Sequence, residues 1–190
     1  MKIDEAEQAI KKILPEKRFV HSVSVSETAG RLAKKYGGNE EKARLAGMLH
    51  DIAKYFSNDE LKAMILSKPG TWHDCLDYSD KLWHAPAGAI YVQEKYGIDD
   101  SDLLQAMIYH TTGRKQMTLL DKIIFLADYI EPGRDFPGVE EVRKAAEMDL
   151  DTAVLLELQK TIMHLLNQQQ RVYPKTFEAY NELVNRHANK

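Results

Sequence analysis

Apolar residues recur at helical spacing along almost the whole chain, and stretches that alternate apolar and polar residues with a period of two are scarce. Such a chain buries its apolar faces by packing helix against helix. Ile3, Ala6, Ile10 and Ile13 mark a short amphipathic helix over residues 3–14, closed by Pro15. A longer helix over 16–36 stops at Gly37-Gly38. Asn39 caps a third, expected over 40–55, with Ala43, Ala46, Gly47, Leu49 and Ile52 facing inward. Ser57-Asn58 opens a fourth, to about residue 67. Residues 68–83, with Pro, Gly and two tryptophans, read as a loop or lid. Helices resume over 84–96 and 101–110; Thr118 then caps LLDKIIFLADYI, with Asp121 at the capping-box position. The EPGRDFPG segment forms a second loop, and helices over 139–147, 151–169 and 175–187 follow. The VSVS run at 23–26 is too short for a strand and sits in a helical context. With no repeat, low-complexity tract or linker, the expected architecture is one all-α domain over residues 1–190.

Charge narrows the partners. Lys and Arg number 26 against 29 Asp and Glu, a formal net charge of −3, so no global positive field draws the chain to nucleic acid. A small phosphorylated ligand needs only a local basic pocket. Cys75 is the one cysteine, which excludes an internal disulfide and a thiolate zinc site and suits a reducing compartment. MKIDEAEQAIKKILPEK lacks the apolar centre of a signal peptide, and no apolar run is long enough to span a bilayer. A cytoplasmic protein without a membrane partner is expected.

The sharpest local feature is LAGMLHDIAK at 45–54, where His50 and Asp51 stand side by side near the end of an apolar helix. An ionised carboxylate buried without partners is costly, so Asp51 requires a cation or a metal. Adjacent helical residues diverge by about 100°, which lets the pair approach one ion from two directions. A lone His-Asp pair is weak evidence, since a satisfied core histidine explains most such cases. Here it has company. Asp128 lies in the strongly apolar LLDKIIFLADYI, His21 in FVHSVSVS, His84 at the start of HAPAGAIYV and His110 at the end of LLQAMIYH. Six such residues, each on or at the end of an apolar helix, point to a shared metal centre.

The order His21, His50-Asp51, Asp128 resembles the H…HD…D signature of the HD superfamily, with His84 and His110 similar to the extra ligands of its two-metal members. HDIAK at 50–54, HAPAGA at 84–89, YHTTGR at 109–114 and LADYIEPGRDFPGV at 126–139 are similar to the YqeK family, bacterial symmetrical diadenosine tetraphosphate hydrolases. The likeness runs from His21 to YPKTFEAYN near the C-terminus. It implies an HD-domain helical bundle with its core over about 16–131, on which helices over about 139–189 pack. It implies two divalent metal ions, with His21, His50, Asp51 and Asp128 on one and Asp51, His84 and His110 on the other, Asp51 bridging. Two such ions lower the pKa of a shared water and bind phosphoryl oxygens. Imidazole and carboxylate ligands leave iron, manganese and zinc open; the resemblance favours di-iron. The implied reaction is hydrolysis of diadenosine tetraphosphate to two ADP. Another HD nucleotidase or a deoxynucleoside triphosphatase is the near alternative, and a non-catalytic nucleotide-sensing helical module the distant one. Oligomeric state is left open, a homodimer included.

Around the six, Lys54 follows Asp51 by three residues and shares its helical side, as a catalytic or phosphate-binding cation or a solvated lysine. Arg134, in the loop after the Asp128 helix, suits phosphate because a guanidinium grips two oxygens in a fork. Thr111 and Arg114 follow His110, and Arg18 lies one turn before His21. Tyr173, before Pro174, is read as a base-stacking or a packing residue, and Asp121 as orienting a ligand histidine or capping its helix. His73, His164, His187 and Cys75 lack ligand-like company, and the methionines fill the core.

Overall fold

Ten α-helices and two short 3-10 segments make up the regular structure of a computed structural model that describes residues 1–70 and 72–188, with no strand among the described residues. The helices are α1 (Ile3–Lys11), α2 (Glu16–Tyr36), α3 (Glu40–Leu49), α4 (Asn58–Ser67), α5 (His84–Tyr96), α6 (Ser101–Tyr109), α7 (Leu119–Ile130), α8 (Val139–Met148), α9 (Leu150–Asn167) and α10 (Pro174–Ala188). The all-α reading holds, including VSVS inside α2. The expected stops act where the sequence puts them. Gly37 and Gly97 end α2 and α5 in the left-handed region, and Asn39, Ser57 and Thr118 cap α3, α4 and α7 with their side chains.

The most apolar helix, α7, lies at the centre against α2, α3, α6, α8 and α9. Its Ile123, Ile124, Phe125, Leu126 and Ala127 are all buried, and each large side chain contributes about 1.5–3 kcal/mol from burial. Helices α2 and α3 run close together because their contact is lined by small residues. A Cβ on Gly47 would meet the Ser26 Cα at 3.0 Å, and the Ser26 hydroxyl donates to the Arg44 carbonyl at 2.8 Å.

Two helix ends differ from expectation by three residues or more. The first helix stops at Lys11, three residues before 14, where Ile13 and Leu14 both donate back to the Ile10 carbonyl. The third stops at Leu49 instead of continuing to 55. Ile52, Lys54 and Phe56 donate to carbonyls three residues back, so the chain tightens into turns over 50–55. The His50 imidazole itself takes the Gly47 carbonyl through Nδ1, at 2.6 Å.

The 68–83 segment carries the two 3-10 turns, His73–Asp77 and Asp80–Leu82. It covers a second apolar cluster around Leu61, Ile65, Cys75, Ala87 and Tyr173. Arg171 donates to the Asp77 carbonyl at 2.8 Å and Trp83 to that of Cys75 at 3.2 Å, so residues 75–83 are fastened down rather than free.

Candidate metal centre

His50 and His110 reach the site by one device. Each sits just past the last residue of its helix, α3 or α6, and bonds through Nδ1 to the carbonyl three residues back, Gly47 at 2.6 Å and Met107 at 2.7 Å. A carbonyl can only accept, so Nδ1 carries the proton and the Nε2 lone pair points inward. His21, one face of α2, is oriented by a carboxylate instead: its Nδ1 donates to Glu131 Oε1 at 3.1 Å. His84 opens α5 and Asp128 lies in the last turn of α7.

All six sequence-derived residues come together. Ligand atoms of His21, His50 and Asp51 lie within 4.8 Å of one another, as do those of Asp51, His84 and His110 and those of His50, His110 and Asp128. Asp51 divides the cluster. Its Oδ1 is 3.0 Å from His84 Nε2 and 3.5 Å from His110 Nε2, while its Oδ2 is 3.6 Å from His50 Nε2 and 3.9 Å from His21 Nε2. One oxygen per half is the geometry a bridging carboxylate needs.

The electrostatics call for cations. His21 Nε2 and Asp128 Oδ1 are 3.0 Å apart, two acceptors face to face once His21 Nδ1 holds the ring proton. His21 Nε2, His50 Nε2 and Asp51 Oδ1 are buried without a hydrogen-bond partner among the described residues. Burial lowers His50 and His84 to about 4, so both are neutral ligands at physiological pH. Burial would raise Asp51 and Asp128, but His50 and the other histidines around Asp51, and His21, His50 and Arg134 around Asp128, hold both well below the usual carboxylate range. A largely buried set of imidazoles and ionised carboxylates with orphaned lone pairs fits divalent metal ions.

Cations ring the cluster. Arg18 Nη1 pairs with Asp51 Oδ2 at 3.0 Å, and Arg134 pairs with the Asp128 carboxylate while its Nε donates to the Asp128 carbonyl at 2.8 Å. Lys54 Nζ lies 3.6 Å from Asp51 Oδ1 and 3.1 Å from His84 Nε2, its pKa lowered by burial. The Thr111 hydroxyl, beside His110, is buried with no hydrogen-bond partner among the described residues.

Other sequence-derived residues are placed elsewhere. Arg114 is held by Asp121 at 2.7 Å and lies over the Tyr109 ring. Asp121 caps α7, accepting from Thr118 N at 2.9 Å, rather than orienting a ligand histidine. Tyr173 is buried edge-on to Tyr78 and donates to the Asp74 carboxylate, so its ring has no open face for a base. His73 donates through Nε2 to the Lys68 carbonyl of its own loop at 2.6 Å, His164 is exposed, and the side chain of His187 lies outside the described residues.

Two residues were not legible beforehand. Glu131 is buried, and its second oxygen accepts from Gly133 N at 2.5 Å. Arg143 of α8 donates to the carbonyls of Ile130, Glu131 and Arg134 at 2.9, 2.7 and 2.8 Å, clamping the loop that carries both Glu131 and Arg134. The only local hint was an acid opening the Pro-Gly loop directly after an apolar helix.

Size does not locate this site. Grooves of about 740 and 690 Å³ lie between Lys115, Glu178 and Arg186 and between Met1, Lys12 and Tyr96, with none of the six residues in their walls. Chemistry is the better guide.

The helical frame and its His/Asp cluster define an HD-domain protein, and the HD domain family matches over residues 18–133. Within that class the chain belongs to the YqeK family. It is 50% identical over 177 residues, 93% of this chain and 94% of the other, to the protein of Halalkalibacterium halodurans named symmetrical bis(5'-nucleosyl)-tetraphosphatase. It is 46% identical over 184 residues, 97% and 98% of the two chains, to the Bacillus subtilis protein of the same name. A solved structure from Clostridium acetobutylicum, described as a predicted HD superfamily hydrolase involved in NAD metabolism, superposes with a TM-score of 0.91 at 40% identity over 98% of both chains.

Proposed function

We propose that this chain hydrolyses diadenosine tetraphosphate and related dinucleoside polyphosphates at the central anhydride, releasing two ADP. The observation that carries the reading is that the oxygens of Asp51 face different histidines, Oδ1 toward His84 and His110 and Oδ2 toward His21 and His50. His21, His50, Asp51 and Asp128 would hold one divalent ion, and Asp51, His84 and His110 the other. Iron is the first choice, with manganese and zinc as alternatives. Such ions, when bound, polarise phosphoryl oxygens and acidify water.

The remaining chemistry falls to the chain. Arg18 and Arg134 flank the His21/Asp128 half and neutralise the polyphosphate there. Lys54 flanks the His84 half, where its ammonium faces the charge that develops on the departing diphosphate. Thr111 supplies a hydroxyl that has no hydrogen-bond partner among the described residues. Arg114 and Tyr173 act structurally in this reading. The substrate is a small nucleotide rather than a nucleic acid, and the setting is cytoplasmic. Among the described residues no helix is long and apolar enough to cross a membrane.

Product analysis tests this. Metal-loaded protein incubated with diadenosine tetraphosphate should give ADP as the sole nucleotide, with one ¹⁸O incorporated from labelled water. ATP plus AMP would overturn the symmetrical reading. Faster cleavage of NAD or a deoxynucleoside triphosphate in the same panel would overturn the substrate class.

A further inference from the structure

Cleavage at the exact middle of a dinucleoside tetraphosphate places a nucleoside diphosphate arm on each side of the cluster. The structure has a cleft for such an arm. Between α2 and the 131–138 loop, a cavity of about 400 Å³ opens beside His21, lined among others by Lys17, Arg18, Val20, Arg134, Asp135 and Phe136. That is within the roughly 300–1,000 Å³ of small-molecule sites.

Its chemistry changes along its length. Arg18 and Arg134 sit nearest the cluster, each touching one of its carboxylates. Lys17 and Asp135 are exposed, and among the described residues neither has an ion-pair partner. Val20 is 52% exposed in the second turn of α2, next to His21. Phe136 is half-buried, its ring held edge-on by Tyr129 at 4.9 Å. One residue separates Arg134 from Phe136, at most about 7 Å between Cα atoms. Phosphate-binding cations, an acid suited to ribose hydroxyls and an apolar wall therefore follow one another within the span of one nucleotide.

We infer that this cleft seats one nucleoside diphosphate half of the substrate, its phosphates on Arg18, Arg134 and Lys17, its ribose at Asp135 and its base against Val20 and Phe136. The inference rests on the reading of symmetrical cleavage and adds where one base lies. An aromatic side chain stacked on a base is worth about a tenfold factor or more in affinity.

Isothermal titration of the metal-loaded full chain with ADP and with inorganic pyrophosphate tests it. In Phe136→Ala and Val20→Gln, ADP should bind about tenfold more weakly than to the wild type, with a much smaller change for pyrophosphate. Equal losses for both ligands, or an ADP affinity within twofold of wild type, would overturn the assignment. Should Phe136→Ala fail to fold, Val20→Gln decides alone, because it replaces an exposed residue without adding charge. Failure of the symmetrical-cleavage reading shows in the products of the wild type and leaves the comparison of ADP with pyrophosphate intact.

Discussion

Glu131→Gln asks how far the metal centre depends on a residue that is not among its proposed ligands. Glu131 Oε1 accepts from His21 Nδ1 at 3.1 Å, and Oε2 accepts from Gly133 N at 2.5 Å, so both oxygens face N–H donors. Glutamine has the same shape but only one acceptor oxygen. In either orientation its amide nitrogen must face one of the two donors. The substitution removes a hydrogen bond and sets two donors against each other at a residue only 3% exposed. A hydrogen bond to a charged group contributes about 1.5–3 kcal/mol, roughly ten- to a hundredfold in an equilibrium. That matches the loss expected when the partner of a metal-bound histidine is changed. Divalent-ion affinity, measured by competition with a chelator of known strength, should fall by this factor, while circular dichroism stays helical. Activity should return in part as the ion concentration is raised. A folded variant whose ion affinity lies within twofold of wild type refutes the reasoning.

Asp51→Ala should lose both ions and nearly all activity, because each Asp51 oxygen faces a different half of the cluster; elemental analysis showing two retained ions would contradict the bridge. Arg143→Ala frees the three carbonyls that hold the 131–134 loop, so kcat/KM should fall by about tenfold or more from misplacement of Arg134 and Glu131. Arg143→Lys should recover only part of that loss, since an ammonium lacks the planar fork; full recovery in steady-state kinetics would show that charge alone suffices. For the metal-free protein, His50 and His84 titrate near 4 when folded against 6.5 when unfolded, so the unfolded chain binds more protons between those values. Stability should therefore decline as pH falls from about 6.5 toward 4, by on the order of a few kcal/mol. Below that, protonation of Asp51 and Asp128 adds to the loss. A melting temperature flat over this window would show that the two imidazoles are not buried neutral.

The six cluster residues were legible in advance because each is a polar side chain in or at the end of an apolar helical run, a local anomaly that needs a cation to explain it. Lys54, Arg18 and Arg134 could be named as neighbours for the same reason, lying within one turn or one loop of a cluster residue. Arg114 and Tyr173 looked equally suitable by position, yet Asp121 holds the first and Asp74 the second. Their partners are fixed by how helices cross, and nothing within a few residues distinguishes a guanidinium that faces the cluster from one that faces a helix cap.

The sequence by itself determined the helical class, nearly every helix stop and the identity of the cluster, since periodicity and capping act over three or four residues. Only the tertiary structure decided that His50 and Asp51 leave the helix, that Glu131 reaches His21 across 110 positions, and that Arg143 clamps the loop between them. Those contacts join residues far apart along the chain. They exist only once α2, α7 and α8 are packed, and a pairing made by packing leaves no periodic trace in the residues that make it.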